Sequence, residues 1–249
     1  MTLSKLKLNF KTYTSAIADL AMPRICVVCG TALMPGEHHI CLTCLADLPR
    51  TRFAALSHNP MADAYNERIE SMIPYQYATA LFYYRAGSGY AQITQALKYR
   101  RDFGAGKYFA AMLGREMAGS PLYADVDLVV PVPLHWMRRF NRGYNQAEII
   151  AGELASALKA KKGFRVLRRV RRTVSQVGMS NESRKENVSG AFALARSASA
   201  ELAGVHHILL VDDVFTTGAT LAECYGVLRT VVPPQVRISV ATLGFVENA

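Results

Sequence analysis

Asp212 and Asp213 stand side by side at the end of an apolar run, 208–211, and are followed by Thr216, Thr217, Gly218, Ala219 and Thr220. Two like charges at the mouth of a buried strand repel each other, and burial penalises both. Such a pair marks a place where a ligand uses the charge. The threonine-rich turn leads into a helical pattern, LAECYGVLR. The first turn of a helix offers unpaired N–H groups and a partial positive charge, which together capture phosphate. Gly218 lets the backbone come close to a ligand, and the threonine hydroxyls add donors. The carboxylates suit a different role. They accept hydrogen bonds from paired sugar hydroxyls, or hold Mg2+ through water. One loop can thus grip a phosphate with its amides and a ribose with its acids. A plain strand-to-helix turn with Asp213 as the helix cap accounts for one acid, but not for two acids and three threonines together.

A second cluster lies near the start of the chain. Cys26, Cys29, Cys41 and Cys44 form two Cys-x-x-Cys pairs separated by eleven residues, with Gly30 after the first pair and Pro35-Gly36 between them. Two tight turns presenting four thiolates fit a tetrahedral, structural Zn2+ site, a zinc ribbon. Metal binding then replaces the apolar core that so short a unit lacks. The same four sulfurs also suit iron, and in an oxidising compartment they would pair as disulfides. His38 and His39 lie beside the second pair and, with four thiolates at hand, read as surface residues. Cys224 falls in a helical pattern and reads as a buried small hydrophobe.

The elements that must position these residues follow from apolar spacing. TALFYYR (79–85), VDLVVPVP (126–133), FRVLRRV (164–170), GAFAL (190–194), HILLV (207–211) and QVRISVATL (235–243) read as strands. Helical patterns cover 88–102, 106–119, 144–160 and 221–229. Strands alternating with helices predict an α/β domain with a mainly parallel sheet flanked by helices. The sequence divides into an N-terminal helical segment (1–23), the zinc ribbon (24–50), a polar linker with short helical pieces (51–78) and the α/β domain (79–249). The stretch GAGKY (104–108) is a false friend: a Walker loop needs glycine where Arg101 stands and Ser or Thr where Tyr108 stands.

Charge is concentrated. Residues 138–185 hold 13 Lys/Arg and 3 Asp/Glu, so the whole formal charge of +10 sits in that segment. Such a concentration points to an anionic partner, phosphate or nucleic acid, over a neutral one. No apolar stretch reaches eighteen residues, which predicts no membrane span. Lys5, Lys7, Lys11 and Asp19 interrupt the N-terminal segment, which therefore lacks the apolar block of a secretory signal and suggests a cytoplasmic protein.

The loop ILLVDDVFTTGAT resembles the phosphoribosyl-pyrophosphate (PRPP) loop of type I phosphoribosyltransferases. The resemblance extends over most of the chain. The four cysteines, ALKYR (96–100), VVPVPLH (129–135), RRFNRGYNQA (138–147), RRT…Q (171–176), RKENVSGAF (184–192) and the PRPP loop follow the order of the ComF family. Its ComFC- and GntX-like members join a zinc ribbon to a phosphoribosyltransferase domain. The resemblance implies a type I phosphoribosyltransferase-like sheet over 79–249 and assigns Asp212 and Asp213 to the catalytic centre. PRPP would be bound by Thr216, Thr217, Gly218, Ala219 and Thr220, with Mg2+ as its companion ion. Pro133 and Leu134 would shape the pyrophosphate turn at 131–139, where Arg138 or Arg139 reaches the diphosphate or stays on the surface. A basic loop, 171–187, would close over the site with Arg172, Gln176 and Arg184, excluding water and neutralising departing pyrophosphate. Arg142, Gly143, Tyr144 and Asn145 line the same mouth, or Asn145 simply caps the following helix. Family membership further implies a part in natural competence, the uptake of single-stranded DNA, with a DNA-import helicase as a possible partner. The alternatives are an active phosphoribosyltransferase with an unidentified acceptor in nucleotide metabolism, and a PRPP sensor without turnover.

Overall fold

Runs of Val, Ile and Leu too short for helices become the strands of a parallel sheet, where both faces are covered and no polar face is needed. The computed structural model describes residues 24–69, 76–134, 143–171 and 190–247. The helical segment expected at 1–23 lies outside them. The chain divides into two units, one ending at Leu48 and the other starting at Pro49.

In the first unit short bridges join Ile25 to Ala32 and His38 to Ile40. They lead into a single helical turn, α1 (Leu42–Ala46). Its buried apolar residues among those described are Cys26, Val27, Ile40 and Leu48.

The second unit contains, in order, α2 (Pro60–Ile69), β1 (Ala78–Tyr83), α3 (Ala91–Gln95) continuing as a π turn (Ala96–Arg100), α4 (Phe103–Ala118) and β2 (Leu128–Pro131). There follow α5 (Gln146–Leu158), β3 (Lys161–Lys162), β4 (Leu167–Arg169), β5 (Phe192–Leu194), α6 (Ala198–Leu202), β6 (His207–Phe215), α7 (Ala219–Arg229) and β7 (Arg237–Phe245). Five strands form one sheet in the order β1-β7-β6-β2-β3, and every pairing in it is parallel. From β2 the chain steps through α5 to β3 on one side. From β6 it steps through α7 to β7 on the other. Helix α5 packs on β2 and β6 and against α4, while α7 packs against α2. The loops leaving β2 and β6 therefore diverge at their carboxyl ends, and this topological switch opens a crevice there.

Two expectations need correction. FRVLRRV and GAFAL supply β4 and β5, but these form a separate two-stranded antiparallel sheet. Arg168 and Arg169 explain this, because a strand carrying two adjacent cations cannot be covered on both faces. Residues 51–69, read as linker, belong to the core: Phe53, Met61, Ala62 and Tyr65 are buried in it. Met61, Tyr65 and Ile69, at i, i+4 and i+8, carry the apolar signal of that helix, and surrounding polar residues mask it. Residues 161–162, just past the helical pattern ending at 160, form the edge strand β3, pairing with Leu128 and Val129.

Candidate functional site

Strand β6 remains in the sheet through its acids, with Asp212 opposite Thr242 and Val214 opposite Gly244. Its neighbour β2 stops at Pro131, and the Val132 N–H makes one further bond, to the Val211 carbonyl at 2.8 Å. Pro133 and Leu134 follow directly and are half-buried beside the crest. Side chains alternate along a strand. Ile208 and Leu210 join Cys224, Tyr225 and Leu228 in one core layer, so Asp212 faces that side and Asp213 the opposite side.

The partners agree with this alternation. Asp213 Oδ2 lies 2.9 Å from Lys98 Nζ, carried by the π turn after α3. Asp212 lies in the fields of Arg169 and Cys224, and its Oδ1 accepts the Asp213 N–H at 2.8 Å. Burial and the adjacent Asp213 carboxylate push Asp212 up to about 7, against the pull of the Asp213 N–H, Lys98 and Arg169. Burial pulls Lys98 down, but the two acids outweigh it and hold its ammonium above the ordinary value. Two carboxylates thus share one close cation, and ionising both leaves surplus negative charge at the crest.

The turn that follows is held from below. The Thr217 carbonyl accepts a hydrogen bond from Arg68 Nε of α2 at 3.1 Å. Gly218 sits at φ 72°, and a Cβ there would lie 2.6 Å from the Phe215 ring. Left-handed backbone and ring together admit only glycine. Gly218 also offers α7 no side-chain cap. The first-turn N–H groups of Ala219, Thr220 and Leu221 therefore look for an acceptor elsewhere, as at an anion site.

The mouth is framed by residues from RRFNRGYNQA. Asn145 Oδ1 accepts the Ala147 N–H at 3.2 Å and caps α5, while its Nδ2 donates to the Val132 carbonyl at 3.0 Å. Tyr144 donates its hydroxyl proton to the Leu97 carbonyl and meets Phe103 edge-on at 4.7 Å. They brace the loop after β2 against the segment that carries Lys98. The expected basic loop is rooted on the β4–β5 pair. At that root Arg169 lies over the Phe192 ring at 5.0 Å, and the Gly190 N–H donates to Glu223 of α7 at 2.7 Å. Arg138, Arg139, Arg142, Arg172, Gln176 and Arg184 lie outside the described residues.

Lys98 and Arg68 are site residues that the sequence reading left without a role. Lys98 lies in ALKYR (96–100), one of the motifs of the family resemblance, but nothing in its spacing aims it at the acids. Arg68 had no signal, since it reaches Thr217 across 149 residues of chain.

In the first unit the four cysteine Sγ atoms lie within 4.8 Å of one another. Cys29 and Cys41 are 3.8 Å apart, which matches the edge of about 3.8 Å expected for four sulfurs at zinc–thiolate distance. The cluster can therefore hold a structural zinc ion. Hydrogen bonding with Thr31 lowers the Cys29 thiol to about 6, whereas burial and the neighbouring thiols push Cys44 up. Glu37 ties the two knuckles together, accepting the Met34 N–H at 2.6 Å and the Leu42 N–H at 2.8 Å. Those two bonds hold its carboxyl below the ordinary value despite some burial.

No family model matches the chain. It is 30% identical over 149 residues to Competence protein F of Haemophilus influenzae, covering 59% of this chain and 64% of the relative. It is 37% identical over 112 residues to the DNA utilization protein YhgH of Salmonella typhi, or 45% of this chain and 46% of that protein. The Escherichia coli protein of the same name is 27% identical over 223 residues, 82% of this chain and 90% of the relative. The chain thus spans under two thirds of the first two relatives and most of the third. These names are of the kind that the ComF resemblance implies.

Proposed function

We propose that the second unit is a type I phosphoribosyltransferase-like domain that binds PRPP with Mg2+ at the crest of β6, within a ComF-like protein that handles incoming DNA in natural competence. One observation carries the ligand reading: a half-buried acid pair and an uncapped helix meet at the topological switch of a parallel sheet, joined by a glycine that tolerates no side chain. A sugar's vicinal hydroxyls suit the acids and its terminal phosphate suits the helix. Asp212 and Asp213 would hold Mg2+ through water, and the ion would neutralise their surplus charge. Lys98, 2.9 Å from Asp213, serves as an internal cation before the ligand arrives. Arg68 fixes the Thr217 peptide so that the following amides keep one direction. The role in DNA uptake rests on the names of the relatives and on the charge gathered in 138–185. The first unit would be a zinc-held ribbon, and metal analysis of the purified protein should return one zinc per chain, lost on replacing Cys41 and Cys44 by serine.

Calorimetric titration tests the site. PRPP should bind only with Mg2+, and Asp212→Asn/Asp213→Asn should abolish the heat. Equal binding of PRPP without metal, or by the double variant, would sink the reading. Pyrophosphate release on addition of nucleobase or amine acceptors separates an enzyme from a sensor. A deletion strain that takes up and integrates DNA at the wild-type rate would remove the competence role.

A further inference from the structure

A pocket of about 320 Å3 lies away from the acid crest, at the edge of the sheet. Its floor is apolar, built from Leu128 of β2 and the half-buried ring of Phe164. Its rim carries Lys161 and Lys162 of β3 and Arg165, all three exposed. Glu201 of α6 is the one acid on the wall. Among the described residues no ion pair occupies Lys161, Lys162, Arg165 or Glu201. The rim therefore presents three cations whose charge is unspent.

The frame is firm although the rim is exposed. The N–H groups of Lys161 and Gly163 donate to the carbonyls of Asp127 and Val129 at 2.8 and 2.9 Å. Gly163 is closely packed: a Cβ there would stand 2.9 Å from Val130 and 3.1 Å from Leu128. Ser197 Oγ donates to the Arg165 carbonyl at 3.0 Å and ties the rim to the segment before α6. The Phe164 ring edge points toward the backbone of Gly152, where a side chain would stand 3.9 Å away. Leu128 pairs with Ile208, four residues before Asp212, so the pocket is displaced toward the opposite end of the sheet by about 13 Å.

We propose that this pocket is a docking site for single-stranded DNA, with a base laid against Phe164 and successive phosphates on Lys161, Lys162 and Arg165. The proposal rests on the DNA-handling reading above and adds the surface. An aromatic floor ringed by cations is the arrangement by which proteins hold single strands without regard to sequence. A duplex keeps its bases stacked inside and cannot offer one to Phe164. Glu201 can accept a hydrogen bond from a base N–H such as N3–H of an unpaired thymine, which a bare polyphosphate lacks. The three rim cations belong to the segment that carries the entire net charge.

The test uses the full zinc-loaded chain and a labelled oligo(dT) strand, with anisotropy read over a range of salt. Lys161→Ala/Lys162→Ala/Arg165→Ala should weaken binding at least tenfold and reduce the salt slope by about 2, given roughly 0.7 per single-strand phosphate contact. Phe164→Leu keeps the floor apolar and should weaken binding roughly tenfold while leaving the salt slope unchanged. Saturating Mg2+ and PRPP should leave the wild-type affinity as it was. Wild-type binding that survives both variants overturns the surface but leaves DNA handling intact. DNA displaced by PRPP would place the strand on the acid crest instead and also overturn it. Equal affinity for blunt duplex or for free thymidine monophosphate removes the single-strand assignment. A wild-type protein that binds no strand overturns the DNA reading and this site together, whatever PRPP does.

Discussion

The two ends of the parallel sheet both carry acids, and they use them differently. At the amino end Asp125 accepts from His207 Nδ1 at 2.7 Å and from Arg237 at 3.3 Å. Asp127 Oδ2 accepts the N–H groups of His206 and His207 at 2.6 and 3.0 Å. His207 is fully buried, and its Nε2 meets Ser239 Oγ at 2.8 Å. Every polar atom in that chain of contacts has a partner, so the cluster stabilises the fold. At the carboxyl end Asp212 and Asp213 share Lys98, and charge is left over. Burial raises Asp125 too, but His207 and Arg237 outweigh it and hold the carboxyl below its ordinary value. For Asp212 burial and its neighbour prevail. The presence of acids does not separate a site from a strut; the balance of their partners does.

The largest expected effect is at the satisfied end. Asp125→Ala leaves a buried imidazole and a guanidinium without their acceptor and should lower stability by about 2 kcal/mol, read by urea denaturation, with PRPP affinity unchanged. At the other end Asp212→Asn should weaken Mg2+-dependent PRPP binding roughly tenfold while the melting temperature holds or rises. A melting temperature that falls as far as in Asp125→Ala would erase the contrast.

The smallest effect is the most diagnostic, because the two ends should respond to pH in opposite directions. Asp212 is raised to about 7, so the folded state keeps a proton that the unfolded state has lost. Its contribution therefore weakens as pH climbs from the ordinary carboxylate value toward 7 and is flat beyond. Asp212→Asn should gain on the wild type over that interval, in melting temperatures taken from pH 5 to 8. His207 is held below its ordinary value, burial outweighing the pull of Asp125. Its contribution is complete above the ordinary imidazole value and is lost as pH falls from there. His207→Gln should thus flatten the acid side of the profile.

What the sequence disclosed was local. The acid pair, the threonines and Gly218 lie within nine residues, and the four cysteines within nineteen. Strand β6 announced itself because burial on both faces demands an apolar run, Ile208 to Val211, and β7 through its β-branched residues Ile238, Val240 and Thr242. Lys98 and Arg68 stayed hidden because each reaches the crest from a distant helix that spacing alone cannot aim. The separate β4–β5 sheet stayed hidden because periodicity reports that a strand exists, not which strand it joins. The core role of 51–69 was lost in polar composition, although Asn59, which receives the Ala62 N–H and donates to Ala78, makes it a capped helix docked on β1.

Strand β1 finds its sheet partner in β7, more than 150 residues further along. During synthesis at 5–20 residues per second, β1 would wait roughly 8–30 s for that partner. In the interval it shows solvent a bare apolar ribbon, Ala80 to Phe82, that the finished molecule buries completely. The short bridge between Arg50 and Phe82 covers its other border and is made of residues already translated. A nascent chain can therefore shield one side of this strand early, long before the acid crest has been built.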